Sequence, residues 1–291
     1  MHKNIDLTII IVNFNGKKWL DLTLTTLKKF YLTKTKFQVE VVVVDNASTD
    51  GSVELIRQHF NWVKLIVLSV NQGFAAANNV ALKKVNSTFA MLLNSDVEFS
   101  EESNLDELIN YLMANPEVGV VTPKLVLTNG QIDPACHRGE PTPWASLTYF
   151  VGLAKIFPRS RLLAQYHQSY QDLATVHQID ACSGAAMMVR AALIKKVGLL
   201  DERFFMYAED IDWCRRFRLN GGSVIYYPLV KLVHHKHKSG LQSSARQTSH
   251  QTSQYFYTTM AQYYDKHYAG HYSNWLNWLI KQVINIKKAT H

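Results

Sequence analysis

The chain has 291 residues, 47% hydrophobic and 19% charged, which is enough to fill a large core and excludes both a disordered segment and a small disulfide scaffold. Its 31 Lys and Arg against 23 Asp and Glu give a formal charge of +8, suited to anionic partners such as phosphorylated ligands, acidic membrane surfaces or nucleic acid, without naming one. Cys136, Cys182 and Cys214 are widely spaced with no CxxC pair, so neither a disulfide framework nor a zinc site is signalled, and a reducing cytoplasm fits best.

The opening MHKNIDLTIIIVNFNG holds an apolar run over 7–12 that is shorter than a signal-peptide core and predicts a first strand. Helical patterns then alternate with β-branched runs: helix 17–30, strand 39–44, helix 52–60, strand 63–68, helix 74–85, strand 89–93, helix 105–114 and strand 118–121. This rhythm predicts βαβ units, an α/β fold with a mostly parallel central sheet flanked by helices. The strands are continuous apolar runs, as expected for a sheet covered on both faces.

From 128 to 177 the periodicity weakens and Pro134, Pro141, Pro143 and Pro158 interrupt it; the stretch reads as a lid or a substrate-specific insertion. A loop and strand follow over 179–189, then a helix over 191–197. A further helix starts at Glu209-Asp210, turns Ile211, Trp213, Cys214 and Phe217 inward, and stops at Gly221-Gly222. A strand over 223–227 is expected to end at Pro228, with 229–235 leading into a histidine-rich loop. Beyond Gly240 the composition shifts to Gln, Ser, Thr, Tyr and His, predicting helices over 249–267 and 275–288, the second amphipathic. The expected division is a domain over 1–240 and a helical extension over 241–291. No uncharged apolar run reaches the roughly 20 residues of a membrane-spanning helix.

In an open α/β sheet, ligands bind beyond the carboxyl ends of the strands. Here those ends are polar: Asn13-Phe14-Asn15-Gly16, Asp45-Asn46-Ala47-Ser48-Thr49-Asp50-Gly51, Asn71-Gln72-Gly73 and Asn94-Ser95-Asp96. Asp45, directly after a buried strand, can accept the imide N–H of uracil or thymine, while Ser48 to Gly51 read as readily as a turn and helix cap. Asn94-Ser95-Asp96 has the spacing of a DxD element with Asn first. Such a strand end supplies the hard oxygen that a divalent cation on a diphosphate needs. Glu209, Asp210 and Asp212 fall at a helix start, either as an acidic first turn favoured by the helix dipole or as a general base tuned by the apolar 204–207 segment. His234 closes an apolar run and points to the same edge, as a metal ligand or a cation for phosphate. His235 and His237 read instead as a solvated basic loop.

The segments IVNFNG, VVVVDNASTDGS, NQGFAAANN, LLNSDVE, SGAAMMVR, FFMYAEDIDWCRR and VHHKHKS, in this order and spacing, resemble a family 2 glycosyltransferase with the GT-A fold, of the rhamnosyltransferase-like branch, over residues 7–240. The resemblance implies that Asn13 and Asn15 line a nucleotide pocket, that Asp45 holds the base, and that Asn71, Gly73 and Asn78 shape the sugar-nucleotide site. Asp96 would bind Mg2+ or Mn2+ on the diphosphate, with Asn94 nearby and His234 as a second protein ligand. Ser183 and Gly184 would form the acceptor loop, with Asp210 as catalytic base and Glu209 beside it. Asn94 stands where a full DxD has its first Asp, which leaves metal dependence open.

The implied reaction is an inverting transfer from a nucleotide-diphosphate donor, dTDP-rhamnose or a UDP-sugar, to a hydroxyl of a glycan or lipid-linked glycan in surface polysaccharide synthesis. The stretch 128–177 and the loop around Ser239 are lid candidates. The last helix reads either as packed on its own domain or a partner copy, or as a peripheral contact with the cytoplasmic face of the membrane; oligomeric state stays open. Two other readings compete. A nucleotidyltransferase making sugar nucleotides would want a glycine-rich, cationic loop after the first strand, which NFNGKK supplies only in part. A catalytically silent assembly subunit is opposed by the intact Asp96 and Asp210. Nucleic-acid binding lacks any recognisable module.

Overall fold

A computed structural model describes residues 5–236 and 245–290; His237 and Ser239 lie outside the described residues. Strands β1 (Leu7–Asn13), β2 (Val39–Asp45), β3 (Lys64–Val67) and β4 (Phe89–Asn94) form a parallel block in the order β3-β2-β1-β4. All but one side chain in each of β1 and β4 is buried, so both faces are covered at these two strands, as their continuous apolar runs require, while the edge strand β3 is only partly buried. The connecting helices are α1 (Lys17–Leu27), α2 (Ser52–His59) and α3 (Gly73–Leu82). The π-helical turn Lys28–Leu32 replaces the last residues expected of the first helix. Register brings the polar strand ends level: Asn13 pairs with Asp45, Asp45 with Val67, and Val12 with Asn94.

The second half of the sheet is mixed. After the two-residue β5 (Val97–Glu98), too short to show as a pattern, come α4 (Asp106–Ala114) and β6 (Val118–Leu127). Then follow α5 (Pro143–Phe150), α6 (Leu153–Ile156), β7 (His177–Ile179), β8 (Ala186–Arg190), α7 (Ala191–Val197), α8 (Glu209–Leu219) and β9 (Ser223–His234). β8 inserts antiparallel between β4 and β6, and β6 runs parallel to β9. Pro228 does not end β9. The register steps from Pro123 opposite Tyr227 to Lys124 opposite Lys231, so Pro228 falls in a bulge where its missing N–H breaks no ladder bond. The strand therefore runs on to His234, which pairs with Val97 of β5.

Two of the prolines that interrupt the pattern over 128–177 start helical turns. Pro134 opens a 3-10 turn (Pro134–Cys136) whose cap Asp133 accepts the Ala135 N–H at 3.0 Å, and Pro143 opens α5, where Thr142 Oγ1 accepts the Ala145 N–H at 3.0 Å. Proline suits a first turn because the N–H it lacks would have no helical partner there.

Helices α9 (Ala245–His267) and α10 (Asn274–Thr290) pack on each other, and α9 is bolted to α8. Asp212, fully buried, meets Lys266 Nζ at 2.5 Å, His267 Nε2 at 2.7 Å and Arg216 Nε at 2.8 Å. Glu140 ties the same elements a second time, accepting from the hydroxyls of Tyr263 and Tyr268 at 2.5 and 2.7 Å and from Arg215 at 2.7 Å, and pairing with Arg218. Among the described residues no helix is long and apolar enough to cross a membrane.

Candidate active site

The loops after β1 and β2 are sewn together through one carboxylate. Asp45 has no exposed surface; its Oδ2 accepts from Asn13 Nδ2 at 3.0 Å and its Oδ1 from the Ser48 N–H at 2.8 Å. Asn15, at a left-handed φ of 49°, places its N–H on Ser48 Oγ at 2.9 Å and accepts the Thr49 N–H at 2.8 Å. Asn13 Oδ1 is buried without a partner among the described residues.

The third strand end is built on Gly73. Its φ of +82° and a Cβ position only 2.5 Å from the Phe205 carbonyl oxygen leave room for no side chain. The chain there is held by Asn71 Oδ1, which accepts from Asn46 Nδ2 at 2.8 Å and from the Gly73 N–H at 2.9 Å. The Phe74 N–H then reaches Phe205 O at 2.8 Å, so this turn holds the segment leading into α8. Asn78 differs from the other asparagines: it is buried within α3 and donates to Phe74 O at 2.9 Å.

Asp96 and His234 meet at the fourth strand end. His234 Nδ1 lies 2.8 Å from Asp133 Oδ2, and its Nε2 lies 3.3 Å from Asp96 Oδ1 and 3.4 Å from Asn94 Nδ2. Burial opposes charge on His234, but Asp133 and Asp96 outweigh it and raise its pKa to about 9. Asp133, fully buried, also takes Lys236 Nζ at 2.9 Å and is held well below the usual carboxylate range: its burial works the other way, but the His234 and Lys236 contacts prevail.

The donor set fits a divalent cation. Asp96 Oδ1 is buried and forms no regular hydrogen bond, its contact with His234 Nε2 being a 3.3 Å ion pair, and Asp133 on Nδ1 orients the imidazole so that Nε2 faces that oxygen, the carboxylate–histidine arrangement common behind metal ligands. No group of three His, Cys, Asp or Glu able to hold a metal occurs among the described residues, so the remaining positions would fall to ligand oxygens and water, as is usual for Mg2+ on phosphates.

The fourth component is the start of α8. Tyr207 and Ala208 have φ of 72° and 66°, two consecutive non-glycine residues in the left-handed region, a strained turn of the kind that clusters at functional sites. It presents Glu209 and Asp210, both buried. Asp210 Oδ2 accepts the Gly184 N–H at 3.1 Å, and Oδ1 its neighbour's Ile211 N–H at 2.8 Å. A Cβ on Gly184 would stand 3.1 Å from Phe74, so glycine is what lets the loop reach the acid. Ser183 Oγ accepts the Ala185 N–H at 3.2 Å and steadies that loop. Burial, and then the charge of Asp210, push Glu209 well above its ordinary pKa, and its Oε2 has no partner. Asp212 faces away into the α9 contact described above.

One cleft of about 1380 Å3 gathers Asn71, Gly73, Asn94, Asp96, Ser183, Gly184, Glu209, Asp210 and His234. Asn13, Asn15 and Asp45 form the adjoining loop network outside its lining, and Asn78 lies within α3. The cleft also holds Asp133, Arg138 and Lys236, which the sequence reading did not single out. Arg138 is pinned by a backbone bridge to Ala181; burial works against its charge, but Asp210, Tyr166 and Asp133 raise its pKa, and its Nε has no partner. The Asp-Pro cap at 133–134 was the available signal for the first of these. Nothing periodic marks Arg138.

The model of the family described as "Glycosyl transferase family 2" matches residues 8–197. An N-acetylglucosaminyl-diphospho-decaprenol L-rhamnosyltransferase of Mycobacterium tuberculosis is 25% identical over 259 residues, covering 85% of this chain and 81% of that protein. A rhamnosyltransferase, WbbL, of Escherichia coli K12 is 39% identical over 205 residues, 68% of this chain and 73% of the relative. In fold the chain resembles the mannosyltransferase PcManGT of Pyrobaculum calidifontis, solved with GDP-Man and Mn2+, at a TM-score of 0.56 and 18% identity over 91% of this chain and 64% of that one.

Proposed function

The chain belongs to glycosyl transferase family 2, and from that premise we propose that it transfers a sugar, with inversion, from a nucleoside diphosphate donor to a hydroxyl of a glycan or lipid-linked glycan in surface polysaccharide synthesis. The observation that carries the reading is the convergence, on one cleft, of Asp210 held by the Gly184 N–H and Asp96 facing His234. Asp210 takes the proton of the acceptor hydroxyl, the oxygen bonds to the anomeric carbon from one face, and the bond to the diphosphate oxygen breaks on the other, leaving the electron pair on the diphosphate. Asp96 and His234, with Asn94 alongside, would hold Mg2+ or Mn2+, which when bound neutralises charge on the leaving diphosphate. Burial and the charge of Asp210 push Glu209 toward its protonated form, which favours Asp210 as the base. Ser183 and Gly184 border the acceptor.

Asn13, Asn15 and Asp45 would shape the base end of the donor site from the loop network beside the cleft, Asp45 fixing the loops after β1 and β2 through Asn13 and the Ser48 N–H. dTDP-rhamnose is the first donor candidate and a UDP-sugar the second; the two rhamnosyltransferase relatives support the former, and the diphospho-decaprenol in one relative's name supports a lipid-linked acceptor. Work at the cytoplasmic face, with α10 of the 241–291 extension as a peripheral membrane contact, belongs to the same proposal. The test is a panel of nucleotide sugars with Mn2+ and a polyprenyl-linked acceptor, scored for nucleoside diphosphate release and for transfer. Release from dTDP-rhamnose above all others supports the reading, and release from none of the panel overturns it.

A further inference from the structure

The exposed large apolar side chains are not scattered. Of the 18 among the described residues, 13 fall between 144 and 162 or between 272 and 286. The first group includes Trp144, Leu147, Val151, Ile156, Phe157 and Leu162, carried by α5, α6 and the turn beyond. The second includes Trp275, Trp278, Leu279, Val283 and Ile286 on α10. The opposite face of α10 is taken up by its own domain: Ile284 is buried, Asn277 Oδ1 accepts from the Tyr264 hydroxyl at 2.5 Å, and Lys288 reaches Thr258 at 2.9 Å. Packing thus satisfies one side of α10 and leaves an apolar side outward, so the packed-helix reading accounts for half of it.

Both groups border the same cleft. Trp144, Leu147 and Val151 of the first group and Leu279 and Val283 of the second line it, together with Asp96 and Asp210. Neither segment carries a carboxylate: 143–165 holds Lys155, Arg159 and Arg161, and 274–290 holds Lys281, Lys287 and Lys288, with no Asp or Glu in either; Lys281 also pairs with Asp265. Apolar and Trp side chains on segments whose own charges are all basic suit an anionic bilayer surface, where Trp sits at headgroup depth and basic residues add attraction. Exposed apolar side chains gathered in two segments, rather than scattered singly, point to an interaction site.

We propose that the two segments are paired lips that seat the protein on an anionic lipid bilayer with the cleft mouth facing it, so that a lipid-linked acceptor enters between them without leaving the membrane. This rests on the lipid-linked acceptor reading and adds the 144–162 lip, which the C-terminal helix alone does not require. The test is co-sedimentation of the full chain with phosphatidylglycerol–phosphatidylcholine vesicles against phosphatidylcholine alone, with no donor or acceptor present. Two double variants avoid the cleft lining: Ile156→Glu with Phe157→Glu, and Trp275→Glu with Trp278→Glu. Wild type binds the anionic vesicles, and each variant lowers partitioning by about tenfold or more while keeping the wild-type melting temperature and hydrolytic release of nucleoside diphosphate.

The proposal is overturned if wild type stays in the supernatant at low salt or if the Ile156/Phe157 variant partitions like wild type. It is overturned equally if sedimentation velocity shows a wild-type dimer that the variants split, because the lips would then face a second copy. Vesicle binding without sugar transfer supports the lips and removes the functional reading; transfer without vesicle binding does the reverse.

Discussion

Replacing Asp210 by Asn keeps the side chain's size and removes its capacity to take a proton. Loss of a general base costs about 100- to 10,000-fold in rate, equivalent to about 3–5 kcal/mol of barrier. The structure adds a second, separable cost. Asp210 now accepts two backbone N–H groups, from Gly184 and Ile211, and an amide has only one acceptor atom, so one buried N–H meets an NH2 instead. An orphaned buried donor costs about 1–3 kcal/mol of stability. Steady-state nucleoside diphosphate release with acceptor, donor titration by calorimetry and urea denaturation read the three quantities apart: turnover falls by orders of magnitude, donor affinity stays near wild type, and the unfolding midpoint drops modestly. Glu209→Gln is the control, since a glutamate pushed to hold its proton by burial and by Asp210 is mimicked by the neutral amide. If Asp210→Asn keeps wild-type turnover while Glu209→Gln loses it, the base has been misassigned within this pair.

Asp212→Ala leaves Lys266, His267 and Arg216 without their buried carboxylate and destabilises the chain by about 3–5 kcal/mol in urea denaturation, with donor affinity retained in the folded protein; an unchanged midpoint contradicts the tether. Asp133→Asn frees the His234 ring and weakens Mn2+ affinity by about 10- to 100-fold, read as a loss of the Mn2+-induced shift in melting temperature, whereas a wild-type shift removes Asp133 from the site. Without metal, the His234 pKa of about 9, set between Asp133 and Asp96 with Lys236 nearby, lies above its unfolded value of about 6.5. Its contribution, on the order of 3 kcal/mol, is therefore complete below pH 6.5 or so and lost as pH rises through 9. Denaturation midpoints over that window decline in wild type and stay flatter in His234→Ala.

The parallel block was legible because its strands are apolar on both faces and its loops end in Asn and Asp; Asp45, Asn94-Ser95-Asp96 and Glu209-Asp210 stand out from sequence alone for the same reason. What stayed hidden was set by contacts distant in the chain. Asp133 matters because a bulge at Pro228 lets β9 run on to His234, and a proline read locally marks a strand end. Glu140 and Arg138 lie in a stretch without periodicity, ordered by α8, α9 and a one-residue bridge to Ala181. Asp212 shares the acidic cluster with Asp210 but turns to Lys266, and which carboxylate of a cluster faces the cleft depends on a helix packed some fifty residues later. Asn78 looked like its neighbours Asn71 and Gly73, yet one turn into α3 its side chain serves the helix backbone.

The central claim is a single displacement at the cleft with Asp210 as its only base. With the donor that the panel identifies, proton NMR of the first-formed product reads the configuration at the transferred anomeric carbon. A single back-side displacement gives the configuration opposite to that of the donor; a product with the donor's configuration contradicts it, because attack from the face opposite the leaving group inverts the carbon.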